Sequence, residues 1–407
     1  ITTHGTVPGG CVRIPTFEIG QTIFSYSDNI IKSGCHDAGS SAQNWVIGVI
    51  NSGPDNEPEF DILQNWLLWD QYNRKSCSTV TSVDNAWLIC TIVTMTEPQD
   101  YRTEGIMNVW LGYMDIYGNK KSWIYQQSQI ELDQNYAAMY PAVGSGVVLE
   151  NKVYFLMYGG LWDDVNITAY CLLTNCAPAT QDTCFRAQRP KFFNRHRIVN
   201  MLLSFEDNPS KTPQLIVKLI PPSQYPIGAE GRLYHFQQTG KTYIYLRSST
   251  WYSYLTFGEF NIQGNLTIKW MTFNTFTRPG AQPCNAGNKC PGECLTGVYT
   301  DFFPLSIEDG LGISVMLAGG TLRRGPMIRL ADRDSVFVSK YLTNQNQVAA
   351  YTTTTCFIFS FRPWCASIVE LGPSTVGELE PLFLLYPIWG TCEIEAQDYY
   401  PDYLYFE

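Results

Sequence analysis

Apolar residues in this chain come in short runs and not in long stripes: VYFLMY at 153–158, QLIVKLI at 214–220, TYIYLR at 242–247 and CFIFSF at 356–361. Each run is rich in β-branched or aromatic residues and is flanked closely by Gly, Pro or Asn, the pattern of a strand and too short for a helix. No stretch keeps a helical apolar period beyond two or three turns. Two dipeptides read as hairpin turns. Gly118-Asn119 separates NVWLGYMDIY from KKSWIYQQ, and Gly264-Asn265 separates TFGEFNI from LTIKW; both accept the positive φ that tight hairpins need. The expected class is therefore all-β. The 32 glycines and 23 prolines are spread evenly over 407 residues, with no linker-like shift in composition. Many short strands in one body of that length fit a β-propeller better than a single sandwich, which is normally smaller. No blade repeat is visible in the sequence.

Composition removes several function classes. Charged residues make up 16% and aromatic residues 14%, against about 25% charged in an ordinary domain; disorder and coiled coil are excluded. The net charge of −10 argues against a general nucleic-acid binder or a basic membrane-surface protein. No apolar run approaches the roughly 18 residues of a membrane helix, the longest candidate lying around Leu382 to Trp389.

Thirteen cysteines without a CxxC pair, and glycosylation sequons at Asn166 and Asn265, point to an oxidising, secretory history. Asn208 is followed by Pro209 and is excluded as an acceptor. The polar opening ITTHGTVPGG lacks a signal-peptide pattern, so the chain reads as an ectodomain whose targeting segment lies upstream. The cluster Cys284, Cys290, Cys294 has loose spacing and no nearby histidine, which favours disulfides over zinc. An odd count leaves one thiol over, with Cys392 as the candidate.

Generic catalytic motifs are sparse. Gly144-Ser145-Gly146 reads as a β-turn and not as a nucleotide fingerprint. His4, His36, His196 and His235 are too scattered for a metal site or a Ser-His-Asp triad, and His36 beside Asp37 reads as a loop. Carboxylate, arginine and tyrosine chemistry remain.

The hexapeptide NRKSCS at 73–78 resembles the signature of paramyxovirus haemagglutinin-neuraminidase attachment glycoproteins. GCVRIPTF at 10–17, SGCHDAGSS at 33–41, YPAVGSG at 140–146, GAEGRL at 228–233, YLRSSTW at 245–251, TRPG at 277–280, LTGVYTD at 295–301 and AAYTTTTC at 349–356 resemble the same family in the same order. The resemblance covers the chain to about residue 390. It implies a six-bladed β-propeller, disulfide-bonded and sialidase-like, over residues 1–390, leaving 391–407 as an acidic aromatic tail.

The resemblance also implies roles. Arg13, Arg247 and Arg323 match the arginine triad that grips the substrate carboxylate, Arg323 being preferred to its neighbour Arg324 from the register of Met316-Leu317 and Pro326. Guanidinium groups suit that task because they stay charged and offer forked donors. Asp37 matches the acid/base, Glu230 the carboxylate that activates the nucleophile, Tyr351 the nucleophile, and Glu370 a carboxylate that orients one arginine of the triad. Lys75, Glu97, Tyr140 and Tyr158 match positions lining the sugar pocket, Lys75 as a surface ammonium in a binding loop, with Asn73, Arg74 and Ser76 shaping that loop. Asp100 and the carbonyls of Thr103, Gly105 and Ala137 match an oxygen-ligand site for a structural calcium, while catalysis needs no cofactor. The implied disulfides are Cys11–Cys35, Cys77–Cys90, Cys171–Cys184, Cys176–Cys290, Cys284–Cys294 and Cys356–Cys365.

Taken as a member of that family, the chain would be the head of a viral attachment glycoprotein, a type II membrane protein of the virion envelope and host cell surface. It would bind sialylated glycoproteins or glycolipids, hydrolyse terminal α-linked sialic acid with retention and act with a viral fusion protein. Heads would pair as a homodimer, and as a tetramer with the stalk. The rival reading is a head that binds a protein receptor without sialidase activity; the complete catalytic set disfavours it. A cellular or bacterial sialidase would show Asp-box repeats, and none is found.

Overall fold

The computed structural model describes residues 11–31, 41–93, 108–161, 197–221, 228–247, 256–271, 273–274, 299–306, 311–313, 328–330, 333–335, 349–371 and 382–387. Regular structure among them is strand, apart from two 3-10 turns at Pro54–Asn56 and Gln127–Gln129. None of the described helices is long and apolar enough to cross a membrane.

The strands form successive antiparallel meanders. The first sheet holds β1 (Cys11–Ile19), β2 (Ile23–Ile31), β3 (Ser41–Ser52) and β4 (Pro58–Leu68) in that order. The second holds β5 (Arg74–Thr81), β6 (Asn85–Ile92), β7 (Asn108–Asp115) and β8 (Lys120–Tyr125). In the third, β10 (Tyr140–Pro141) and β11 (Val147–Leu149) share one edge of β12 (Lys152–Leu161). Beyond β12 come β13 (Arg197–Glu206), β14 (Ile216–Leu219) and, parallel to it, β9 (Glu131–Leu132). The fourth holds β15 (Gly231–Phe236), β16 (Lys241–Leu246), β17 (Thr256–Phe260) and β18 (Ile268–Trp270). Two small sheets follow: β19 (Phe273–Asn274) with β23 (Ile328–Leu330) and β24 (Arg333–Ser335), and β21 (Phe303–Ser306) with β22 (Leu311–Ile313). In the last sheet β20 (Tyr299–Thr300) runs parallel to β25 (Ala349–Phe359), which pairs with β26 (Arg362–Leu371) and β27 (Leu382–Pro387).

The first strands of these sheets meet one another: β1 lies against β5 and β25, β5 against β10 and β11, and β11 against β15. Sheets that each start at a shared centre and run outward are the blades of a propeller. Of the six blades expected, five sheets of blade size are seen among the described residues. The strands between Phe273 and Ser335 are only two to four residues long and fall into the two small sheets, while β20 joins the last blade.

Stacked blades bury both faces of a sheet, which explains why the apolar runs do not alternate. Every residue of β2 is buried, and so is every residue of β6 after Asn85. Between the second and third blades Trp87 packs edge-on to Tyr113 and Phe205, with centroids 5.0 and 4.9 Å away, over Phe155, Met157 and Met201. Each such side chain contributes about 1.5–3 kcal/mol of burial.

Most expected strands are present: 153–158 lies within β12, 242–246 within β16, and 214–220 shortens to β14. The run CFIFSF is not one strand. Ser360 and Phe361 take φ of 50° and 63°, closing a two-residue turn that leaves Phe361 fully exposed. Two successive positive φ values match the twist of a tight hairpin, and Cys356 bridges Cys365 directly across the ladder. Gly118 has the expected positive φ of 96°, whereas in the β17–β18 turn that role falls to Leu266 (φ 56°) and not to Gly264. Asn265 is exposed there, its Oδ1 accepting from Thr267 Oγ1 at 2.8 Å. Gly144-Ser145-Gly146 forms a buried bend between β10 and β11 in place of the expected β-turn, and a Cβ on Gly144 would lie 2.2 Å from the Gly231 carbonyl oxygen.

Candidate active site

The inner strands lose regular geometry where they begin. Register shifts fall between Arg13 and Thr16 in β1, between Lys75 and Ser78 in β5, and between Ala349 and Tyr351 in β25. Ile14, Ser76 and Val143 have φ of 57°, 54° and 72°. Positive φ in a β-branched residue costs roughly 1–3 kcal/mol and persists only when its surroundings enforce it. Bulges re-aim side chains, and the residues they re-aim here are those singled out in the sequence.

Tyr351 Oη donates to Glu230 Oε2 at 2.7 Å. The other oxygen of Glu230 is held by Arg247 Nη1. The Arg247 guanidinium also lies 5.6 Å from the centre of the Tyr351 ring. Burial first, then the charge of Glu230, push the Tyr351 phenol well above its ordinary pKa, against the opposing pull of Arg247. Arg247 is raised: burial, the largest single influence, would lower it, but the charge of Glu230, the hydrogen bond to it and the neighbouring Tyr351 and Tyr245 together outweigh burial. A carboxylate that receives a phenol proton on one oxygen and a guanidinium on the other can draw that proton away as the phenol forms a bond.

Glu370 lies opposite Tyr351 in the β25–β26 ladder. It is 1% exposed, and both its oxygens are used: Oε1 accepts from Arg13 Nε at 2.7 Å and Oε2 from the Ile14 N–H at 2.8 Å. The left-handed turn at Ile14 therefore lets one carboxylate hold a side chain and the next backbone amide together. Burial raises the Glu370 pKa, with Arg13 opposing it.

Tyr140 and Tyr158 face each other across β10 and β12, ring centroids 5.6 Å apart, and the Tyr158 hydroxyl is near enough to act electrostatically on Tyr351. Lys75 corrects the expectation of a surface ammonium: it is 6% exposed, because it sits in a strand that packing buries on both faces. Arg74 shapes the bulge in β5. Its guanidinium binds both oxygens of Asp70 at 2.9 and 2.7 Å and lies 4.6 Å from the centre of the Trp110 ring, while its carbonyl accepts from Asn29 at 3.0 Å. Cys77–Cys90 is bonded beside it, as expected.

Asp37, Arg323 and Glu97 lie outside the described residues, as do Asp100, Thr103 and Gly105, Asn166, Cys392, the 391–407 tail and the remaining disulfides as pairs. Ala137 is described and is 4% exposed, its N–H donating to the Gly160 carbonyl at 2.8 Å. Among the described residues no cluster of three or more His, Cys, Asp or Glu could hold a metal ion.

Three buried residues near this centre fall within the motifs GAEGRL and LTGVYTD but were given no role in the sequence: Arg232, Tyr299 and Asp301. Arg232 pairs with Asp301 at 3.2 Å, and Tyr299 Oη donates to Asp301 at 2.6 Å. Spacing carried a signal for Arg232, since it lies two residues after Glu230 in the same motif, GAEGRL.

The sequence matches the family model for haemagglutinin-neuraminidase over residues 3–389. It is 36% identical over 387 residues to the hemagglutinin-neuraminidase of human parainfluenza 1 virus, covering 95% of this chain and 67% of that protein. It is 34% identical to that of Sendai virus strain Z over the same shares. Among solved structures it resembles parainfluenza virus 5 hemagglutinin-neuraminidase with the ligand DANA: TM-score 0.72, 26% identity, 93% of this chain and 90% of that one. A Trypanosoma rangeli sialidase with the inhibitor DANA shares the fold at TM-score 0.53 and 9% identity, over 93% of this chain and 55% of that one.

Proposed function

The chain belongs to the haemagglutinin-neuraminidase family, and from that premise we propose that it binds sialylated receptors and hydrolyses terminal α-linked sialic acid with retention. The observation that carries this reading is the 2.7 Å hydrogen bond from Tyr351 Oη to Glu230, with Arg247 on the carboxylate's other side. A head that only recognised a protein receptor has no use for a buried phenol set against a base.

In this mechanism Arg13, Arg247 and Arg323 hold the substrate carboxylate, and Glu370 keeps Arg13 in place. Tyr351 Oη attacks the anomeric carbon while Glu230 takes the phenol proton and Asp37 protonates the departing glycosidic oxygen. Water then attacks the same carbon, giving its proton to Asp37, and the tyrosine ether bond breaks with return of the proton from Glu230. Two displacements give net retention. A neutral phenol suits a carbon that already bears a carboxylate, where an Asp or Glu would approach against like charge; sialidases depart from the two-carboxylate pattern in this way. Lys75, Glu97, Tyr140 and Tyr158 line the sugar pocket.

Asp100 with the Thr103, Gly105 and Ala137 carbonyls would hold a structural calcium; this oxygen-only set suits a hard cation, and no catalytic step runs through it. The segments carrying β19 and β21 to β24 supply a sixth blade. The head acts at the virion envelope and host cell surface, with a fusion protein as partner, pairing as a homodimer and, with the stalk, a tetramer.

A fluorinated sialoside that slows the second displacement should leave a mass adduct on the peptide containing Tyr351. Tyr351→Phe should lose the adduct and still bind the sugar. An adduct on a carboxylate, or an inverted first product, would overturn the mechanism.

A further inference from the structure

The two reactive groups belong to different blades, so something must fix one against the other. Glu230 immediately precedes β15 and Tyr351 is in β25. Two residues further along each segment lie Arg232, in β15, and Thr353, on the same face of β25 as Tyr351. Arg232 is 2% exposed and spans the gap: Nη1 donates to the Thr354 carbonyl at 2.7 Å, Nη2 to Thr355 Oγ1 at 2.9 Å, and Nε to Ser145 Oγ at 3.1 Å.

Asp301 closes this arrangement. It has no exposed surface, and it accepts from Arg232, from Thr353 Oγ1 at 2.7 Å, from the Thr354 N–H at 2.9 Å and from Tyr299 Oη at 2.6 Å. Its own N–H donates to the Thr352 carbonyl at 3.1 Å. These bonds stitch the two-residue strand β20 to β25 and lock the Tyr299 ring, which stacks on Tyr351 at 5.8 Å and 27°. The same hydroxyl leaves no room for a side chain at Gly144, where a Cβ would come within 2.4 Å of Tyr299 Oη.

We propose that Arg232, Asp301 and Tyr299 are positioning residues for the Tyr351–Glu230 pair: a buried platform, one strand repeat below the reacting atoms, that sets the angle and depth of the phenol. All three are buried, so they act through Tyr351 and Glu230. The inference rests on the reading of Tyr351 as the nucleophile. Its consequence is selective, because a misaligned phenol slows bond formation, at about ten- to a hundred-fold for a displacement of the order of an ångström, and leaves the grip on the carboxylate intact.

The test uses two conservative variants of the whole head. Tyr299→Phe keeps the stacked ring and drops the hydroxyl bond to Asp301; Thr353→Val keeps shape and drops the other hydroxyl. Single-turnover adduct formation with a fluorinated sialoside, DANA affinity and melting temperature are measured together. At least one variant should fold with wild-type DANA affinity and form the Tyr351 adduct about ten- to a hundred-fold more slowly, with kcat falling and KM held. Tyr299→Leu, which also loses the stack, should be slower still than Tyr299→Phe. If both conservative variants form the adduct at the wild-type rate, or if rate and DANA affinity fall together, the platform is not a positioning device. An adduct on another residue of the wild-type chain would sink the nucleophile reading, and this inference with it.

Discussion

Replacing Glu230 by Gln changes one atom at the centre of the site, and its effect can be worked from geometry. Glu230 uses one oxygen for Arg247 and the other for Tyr351. In Glu230→Gln the amide must turn its oxygen to the guanidinium, since an NH2 there would face a donor. The NH2 then points at the phenol, which becomes an acceptor and has nowhere to send its proton. An ordinary tyrosine, with a pKa near 10, is ionised in only about one molecule in a thousand at neutral pH, and burial pushes Tyr351 higher still. Loss of a general base costs about 10²- to 10⁴-fold, or about 3–5 kcal/mol of barrier. Binding should be spared, because the variant removes a negative charge beside the arginines that receive a carboxylate. Initial rates on a fluorogenic sialoside should fall by at least about a hundredfold while calorimetric DANA affinity is kept or improved. Turnover within tenfold of wild type would refute the assignment of Glu230 as base.

Two further predictions concern stability. Burial raises the Glu18 carboxyl from 4.5 to about 7, against hydrogen bonds from the Thr81 N–H and hydroxyl and the charge of Arg232. Between those values the folded state keeps a proton that the unfolded chain has lost, so stability should fall as pH rises through that window, by at most about 3 kcal/mol. Urea titrations at pH 5 and 8 should show Glu18→Gln gaining on the wild type at the higher pH; a gap that ignores pH removes the claim. Cys77–Cys90 closes a loop of sequence separation 13, so the double change to Ala should cost about 2–3 kcal/mol; an unchanged denaturation midpoint would count against it.

Strand content was legible because runs such as VYFLMY carry both composition and boundaries, and Gly118 marked its turn outright. The hairpin at Ser360-Phe361 was not, since neither residue announces a positive φ; the bridge across Cys356 and Cys365 and the surrounding ladder impose it. Of the site, Glu230, Tyr351, Arg247, Arg13 and Glu370 could be named from motifs, and the structure brings them into two contacting groups. The burial of Lys75 depended on packing between blades that local sequence does not encode. Arg232 and Asp301 were hidden for a different reason: their meaning lies in a contact 69 residues apart in sequence, and a lone Arg or Asp in a strand otherwise reads as surface.

The pair Arg13–Glu370 joins residues 357 positions apart. A ribosome moving at roughly 5–20 residues per second delivers the second about 20–70 s after the first. For that interval β1 can pack against its own blade and against β5, while the carboxylate that will hold Arg13 and the Ile14 amide does not yet exist. The Arg13 arm of the grip is thus assembled late, when the ring shuts, and no nascent chain that stops short of β26 can hold Arg13 through Glu370, although the Arg247–Glu230 pair can already be in place. Enzymatic activity in a maturing population would count closed rings, not finished blades.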